Sequence, residues 1–122
     1  MRKKERVVVI GASMNPDRYS YKATIALKNS GHTPIPVGLR EGEISGVQIL
    51  KGTPIIPNVD TVTLYLGAAR QPVMYDYILS LNPERIIFNP GTENEQLEEL
   101  AAKQGIESIE ACTLVMLSVG NF

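Results

Sequence analysis

The chain has one cysteine, one histidine and no tryptophan, and no apolar run is longer than a strand. The lone Cys112 rules out an intrachain disulfide, and a single thiol fits a reducing, cytoplasmic setting. The basic start MRKKER leads only into the short apolar stretch Val7 to Ile10 before Gly11. That is too brief for a signal-peptide core or a membrane span, so no membrane partner is expected. No metal is expected either, because Asp17, Asp60 and the glutamates of Glu93 to Gln104 show no metal-ligand spacing. Charge of one sign is also lacking: 12 Lys and Arg against 13 Asp and Glu give a net charge of -1. Without a clustered basic face, nucleic acid is not an expected partner. No nucleophile stands with a candidate base, which argues against an enzyme.

What is present points to one globular domain spanning 1–122, with 43% hydrophobic residues. A chain of this size buries about two thirds of the surface its unfolded form exposes, enough to fold without metals or disulfides. Strand-length apolar runs recur at Arg6 to Ile10, Thr33 to Val37, Thr61 to Leu66, Arg85 to Phe88 and Ile106 to Ile109. Several lack polar alternation, the mark of parallel strands covered on both faces. Helical periodicity lies between them, over Tyr21 to Ser30, Pro72 to Leu81 and Glu93 to Gln104, with Gly31 and Gly105 as stops. Glu41 to Asp60 reads as a short edge strand at Val47 to Leu50 plus an irregular crossover, since Pro54 and Pro57 exclude a helix. Cys112 to Val119 is expected to be a short helix. This alternation predicts an α/β, doubly wound Rossmann-like parallel sheet with strand order 3-2-1-4-5-6.

In such a sheet, ligands bind beyond the carboxyl ends of the strands, where the winding reverses. The turn after the first strand reads Gly11-Ala12-Ser13-Met14-Asn15-Pro16-Asp17-Arg18-Tyr19-Ser20-Tyr21. Gly11 permits a sharp turn, Ser13 and Asn15 add hydrogen-bonding groups, and Arg18 adds a cation at a helix start. The free N–H groups of that helix make a ready anion site, with Ser20 as a cap or phosphate contact. A G-x-G-x-x-G fingerprint is missing, because no glycine follows Gly11 until Gly31. The end of the second strand carries Arg40 where an NAD site wants an acidic residue. Arg40 suits a ribose phosphate, as in NADP or in coenzyme A with its 3′-phosphate.

The string V-I-G-A-S-x-N-P-x-R-x-S-Y, followed by E-I-x-G at Glu43 to Gly46 and I-P-x-V-D at Ile56 to Asp60, resembles the stand-alone coenzyme A-binding domain family. Those proteins are related to the nucleotide-binding domain of succinyl-CoA synthetase alpha subunits. The resemblance implies a pyrophosphate cradle at Gly11, Ala12, Ser13, Asn15, Arg18, Ser20 and Tyr21. It implies an adenosine pocket near Pro36, Val37 and Arg40, and walls from Gly67 and Arg70 and from Asn89, Pro90 and Gly91. Where the family commonly has adjacent arginines after the fourth strand, this chain has Arg70 alone. The function implied is non-catalytic binding of coenzyme A or an acyl-CoA. An NADP-binding enzyme or subunit and an interaction module with a degenerate site are the alternatives. The apolar tail Leu114 to Phe122 makes a homodimer, or an unknown protein partner, an expectation. Cys112 is expected near the ligand thiol or buried as a small hydrophobe, and His32 at the opposite sheet edge.

Overall fold

Residues 3–122 are described by the computed structural model of the chain. The core begins with β1 (Arg6–Ile10), whose Val7, Val8, Val9 and Ile10 are all buried. It is flanked by β2 (Thr33–Gly38) on one side and β5 (Thr61–Leu64) on the other, both parallel to it. A strand covered on both faces has no solvent side to mark with polar residues, which is why the sequence runs without alternation. Beyond β5 come β6 (Arg85–Phe88) and β7 (Glu107–Glu110), again parallel.

On the β2 side lies β4 (Val47–Lys51), parallel to β2 through Val37↔Leu50 and Gly38↔Lys51. Outside it, β3 (Gly42–Ile44) pairs antiparallel with β4. The full order is β3-β4-β2-β1-β5-β6-β7. The six strands expected from sequence take the expected order, and the chain adds β3 where an irregular lead-in was expected. The signal for it was the dipeptide Ser45-Gly46. With φ of 49° and 83°, these two residues form a left-handed pair that reverses the chain in two residues, the geometry favoured for twisted hairpins.

Helices cover both faces. α1 (Tyr19–Asn29) and α4 (Thr113–Val119) lie over Val7, Val9 and Ile87, packing Leu27 and Met116 there. The opposite face, Val8, Ile10, Val62, Leu64, Ile86 and Phe88, is covered by Ile78 of α2 (Tyr75–Ser80) and by Leu97 and Ala101 of α3 (Glu95–Lys103). Each fully buried side chain of this size contributes about 1.5–3 kcal/mol relative to exposure.

Several boundaries differ from the sequence reading: β5 ends at Leu64 rather than Leu66, and β7 runs one residue later than expected. α1 starts two residues early, at Tyr19. The helix expected from Pro72 to Leu81 opens as a 3-10 turn at Pro72–Met74 before α2 begins, and a further 3-10 turn at Ala68–Arg70 precedes it. The third helix starts at Glu95 because Asn94 caps it, its side-chain oxygen accepting the Leu97 N–H at 3.3 Å. Glu93, expected inside that helix, instead accepts the Gly91 N–H at 2.9 Å.

The amino edge of the sheet is latched by charge and aromatic contact. The Arg85 guanidinium bonds Glu5 at 3.2 Å, donates from Nε to Thr61 Oγ1 at 2.9 Å and lies 4.5 Å from the Phe122 ring centre. His32 Nδ1 accepts the Glu5 N–H at 3.0 Å while its ring meets Phe122 at 4.9 Å. Part of the expected apolar tail is therefore consumed internally, with Phe122 1% exposed, whereas Val115 and Val119 face solvent. Among the described residues no helix is long and apolar enough to cross a membrane.

Candidate functional site

At the carboxyl edge, the loops after β1, β2, β5 and β6 converge around a cleft of about 770 Å³. Its floor exists because two glycines let backbones touch. Gly11 has φ of 91°, and a Cβ there would lie 2.9 Å from the Tyr65 carbonyl oxygen. At Gly38 a Cβ would lie 2.5 Å from the carbonyl oxygen of Ala12. Any side chain at either position would push the β1 loop away from β5 or β2 and open the floor.

The β1 loop is self-supporting. The Gly11 and Ala12 N–H groups both donate to the Val37 carbonyl, at 3.1 and 3.0 Å. Ser13 Oγ accepts the Asn15 N–H at 3.0 Å, and Asn15 Oδ1 accepts the Asp17 N–H at 3.0 Å. In the cradle that the resemblance implies, the Gly11 and Ala12 amides are thus engaged with β2 in this structure. The groups left over are those of the helix start. Arg18 holds the N-cap position of α1 in extended conformation, and no side chain caps the helix. Ser20, expected as a cap or contact, lies inside the first turn and is buried. Its carbonyl accepts the Thr24 hydroxyl at 2.9 Å. The N–H groups of Tyr19, Ser20 and Tyr21 therefore point out of the helix end without intrahelical acceptors.

Of the residues expected in the site, the structure brings Gly11, Ala12, Ser13, Asn15, Arg18, Ser20, Arg40, Gly67, Arg70, Pro90 and Gly91 to the cleft wall. Tyr21 is half-buried on α1 outside the lining. Pro36 and Val37 are buried in β2, paired with Val9 and Ile10, and lie behind the wall. Asn89 is displaced for a physical reason: its carboxamide is fully used inside the protein. It donates to Thr63 Oγ1 at 2.6 Å and to the Leu64 carbonyl at 2.8 Å, and accepts the Thr113 N–H at 2.9 Å. It ties β5, β6 and α4 together beneath the cleft. Cys112 is half-buried at the start of α4 and is not part of the lining.

The sequence reading missed Met14, Tyr19, Leu39, Ile49 and Thr92 on the wall. Met14 lies over β3, its thioether occupying the space a Cβ at Gly42 would need. Leu39 is 82% exposed beside Arg40, an apolar surface next to a cation. A strongly exposed leucine carries no sequence signal, because its neighbours in the chain are unremarkable and only the neighbouring loops define its place. Ile49 lies in the edge strand expected at Val47 to Leu50 and reaches the cleft from it.

The electrostatics are one-sided. Arg18, Arg40 and Arg70 are exposed on the lining and, among the described residues, none forms an ion pair. Asp17 is the carboxylate on the same wall. Three unpaired guanidiniums on one cleft with an uncapped helix start have the chemistry suited to a ligand with several anionic groups. Among the described residues no group of three His, Cys, Asp or Glu side chains is placed to hold a metal ion.

The family model for the CoA binding domain matches residues 5–118. A crystal structure of an uncharacterized protein is 50% identical, with a TM-score of 0.96, and the match covers 99% of this chain and 100% of that one. The uncharacterized protein YneT of Bacillus subtilis (strain 168) is 24% identical over 106 residues, 86% of this chain and 78% of that protein. The dinucleotide-forming acetyl-coenzyme A synthetase 1 of Ca. Korarchaeum cryptofilum, solved in complex with phosphate and ADP, shares the fold. Its TM-score is 0.71 at 19% identity, covering 88% of this chain and 25% of that one.

Proposed function

Since the chain belongs to the CoA binding domain family, we propose that residues 1–122 form a non-catalytic module that binds coenzyme A or an acyl-CoA at the carboxyl edge of the sheet. The observation that carries this reading is the start of α1, where an arginine occupies the cap and no side chain satisfies the free N–H groups. In this reading the diphosphate sits on the Tyr19, Ser20 and Tyr21 N–H groups with Arg18 beside it. Arg40 takes the ribose 3′-phosphate, Leu39 and Met14 provide apolar surface for the adenine, and Arg70 closes the opposite side. A cleft of about 770 Å³ falls within the usual range for organic cofactors. Binding rather than catalysis is favoured because the lining offers donors and cations, with no base hydrogen-bonded to a nucleophile among the described residues.

Arg40 also supports NADP as a ligand, and that reading differs in what it predicts. Thermal unfolding is measured with coenzyme A, dephospho-coenzyme A, acetyl-CoA, NADP and NAD. A ligand that binds only the folded state raises apparent stability by mass action. Coenzyme A and acetyl-CoA are expected to raise the unfolding temperature, and removal of the 3′-phosphate to weaken binding about tenfold or more, the scale of one charge-assisted hydrogen bond. A response to NADP with none to coenzyme A reverses the assignment. No response to any of them leaves an interaction module whose nucleotide site has decayed.

A further inference from the structure

Gln71 is the one glutamine among the described residues that is wholly buried, at 0% exposure, and it follows directly on Arg70. A buried carboxamide is costly unless its donors and acceptor are matched. Here they are. Nε2 donates to the Leu66 carbonyl at 2.9 Å and to the Thr92 carbonyl at 2.7 Å, while Oε1 accepts from Asn94 Nδ2 at 2.9 Å. Asn94 Nδ2 also donates to the Tyr75 hydroxyl at 2.7 Å, and Asn94 Oδ1 caps α3. One side chain thus spans the loop after β5, the loop after β6 and the start of α3.

The chemistry requires an amide. Two carbonyls must be met by two N–H bonds from one nitrogen while an acceptor faces the other way; a glutamate has no donor and a leucine neither. The Ala68–Arg70 turn, closed by the Arg70 N–H on the Gly67 carbonyl at 2.9 Å, is held at its base by this carboxamide. The facing turn, closed by the Thr92 N–H on the Asn89 carbonyl at 2.9 Å, is held by the same group. The direct hydrogen bonds between residues 66–71 and residues 89–94, among the described residues, all involve Gln71.

We propose that Gln71 is a positioning residue that locks the two walls of the cleft into one body, fixing where Arg70 stands relative to Pro90 and Gly91. Its effect on ligand binding rests on the coenzyme A reading above, whereas the coupling of the two loops does not. A wall set before the ligand arrives spares the ordering cost of binding.

The test uses Gln71→Met, which keeps length and removes all three hydrogen bonds, in the full chain. Amide hydrogen exchange without ligand is expected to show protection falling tenfold or more at both Arg70 and Thr92, with β1 amides unchanged. A change confined to one loop, or to neither, overturns the proposal. Affinity for coenzyme A is then measured for wild type, Gln71→Met, Arg70→Ala and the double variant. Binding is expected to weaken about tenfold in Gln71→Met, and the double variant to bind no worse than Arg70→Ala alone. A merely structural glutamine would lower stability and leave affinity intact, or its loss would multiply that of Arg70; either result overturns the positioning role. If wild type fails to bind coenzyme A while both loops loosen together, the ligand assignment fails and the coupling stands. Should Gln71→Met not fold, Gln71→Asn, too short to reach both carbonyls, carries the same measurements.

Discussion

Tyr65 concentrates the conflict between packing and polarity that runs through the floor of this protein. It follows β5, its Cβ rests against Gly11, and its hydroxyl is buried without a hydrogen-bond partner. The nearby Thr63 and Thr113 hydroxyls are committed to each other at 2.8 Å. Burial pushes the phenol up to about 12; Thr113 and Thr63 ease that shift, and negative charge at Cys112 would add to it. The sign follows from linkage. The folded state holds its proton more tightly than the unfolded chain, so the contribution to stability is complete below pH 10 and is lost as pH rises toward 12. Two pKa units correspond to about 2–3 kcal/mol. Tyr65→Phe is expected to leave stability at neutral pH equal or higher, since an unpartnered hydroxyl is removed, and to flatten the loss between pH 10 and pH 12. Urea unfolding at pH 8 and pH 11 decides it: equal pH dependence in both proteins contradicts the account. Tyr77, also raised by burial, is present in both and cancels.

Among the elements, the two helices that start at the cleft are built in opposite ways. α3 is capped by Asn94, the usual arrangement, while α1 begins at Arg18 with no cap. A missing cap costs about 0.5–2 kcal/mol, so the uncapped helix is a stability sacrifice at a position that suits an anion. Arg18→Asp supplies a preferred cap residue and a favourable charge for the dipole. It is expected to stabilise the ligand-free protein by about 1 kcal/mol and, on the proposed coenzyme A reading, to abolish binding, because a carboxylate would then face the ligand's diphosphate. Denaturation midpoints paired with titration calorimetry read both effects; a stabilised variant that still binds removes α1 from the site. The β3–β4 hairpin is the other decisive element. Lys28 Nζ of α1 donates to the Ser45 carbonyl at its tip, and Met14 lies against Gly42 at its base. The hairpin thereby carries Ile49 to the cleft.

At the scale of the whole molecule, the sheet divides its labour between its ends. The carboxyl edge gathers exposed cations and open amides; the amino edge gathers Glu5, Arg85, His32 and Phe122 into a closed latch. Phe122→Ala removes a ring that is 1% exposed and lies against both the Arg85 guanidinium and the His32 ring. A loss of about 3–5 kcal/mol is expected, the range for truncating a buried phenylalanine. Ligand affinity, measured at a temperature where the variant remains folded, is expected to be unchanged because the cleft lies at the other end of the strands. A parallel drop in affinity would show that the two ends are coupled.

The sequence alone determined the sheet: runs such as Val7 to Ile10 and Ile86 to Phe88 are apolar on every residue, and only strands covered on both faces tolerate that. It also determined where to look for the site, because Gly11, Asn15 and Arg18 follow the central strand and winding order puts that turn at the carboxyl edge. Tertiary structure alone decided which groups are free. The amides of Gly11 and Ala12 are consumed by Val37, a partner 26 and 25 residues away, and the Asn89 carboxamide is consumed by Thr63, Leu64 and Thr113. Gln71, ordinary by type and spacing, becomes the joint between two loops. Hydrogen-bonding capacity is spent between segments remote in sequence, so residue type announces a capacity and only the fold shows where it is used.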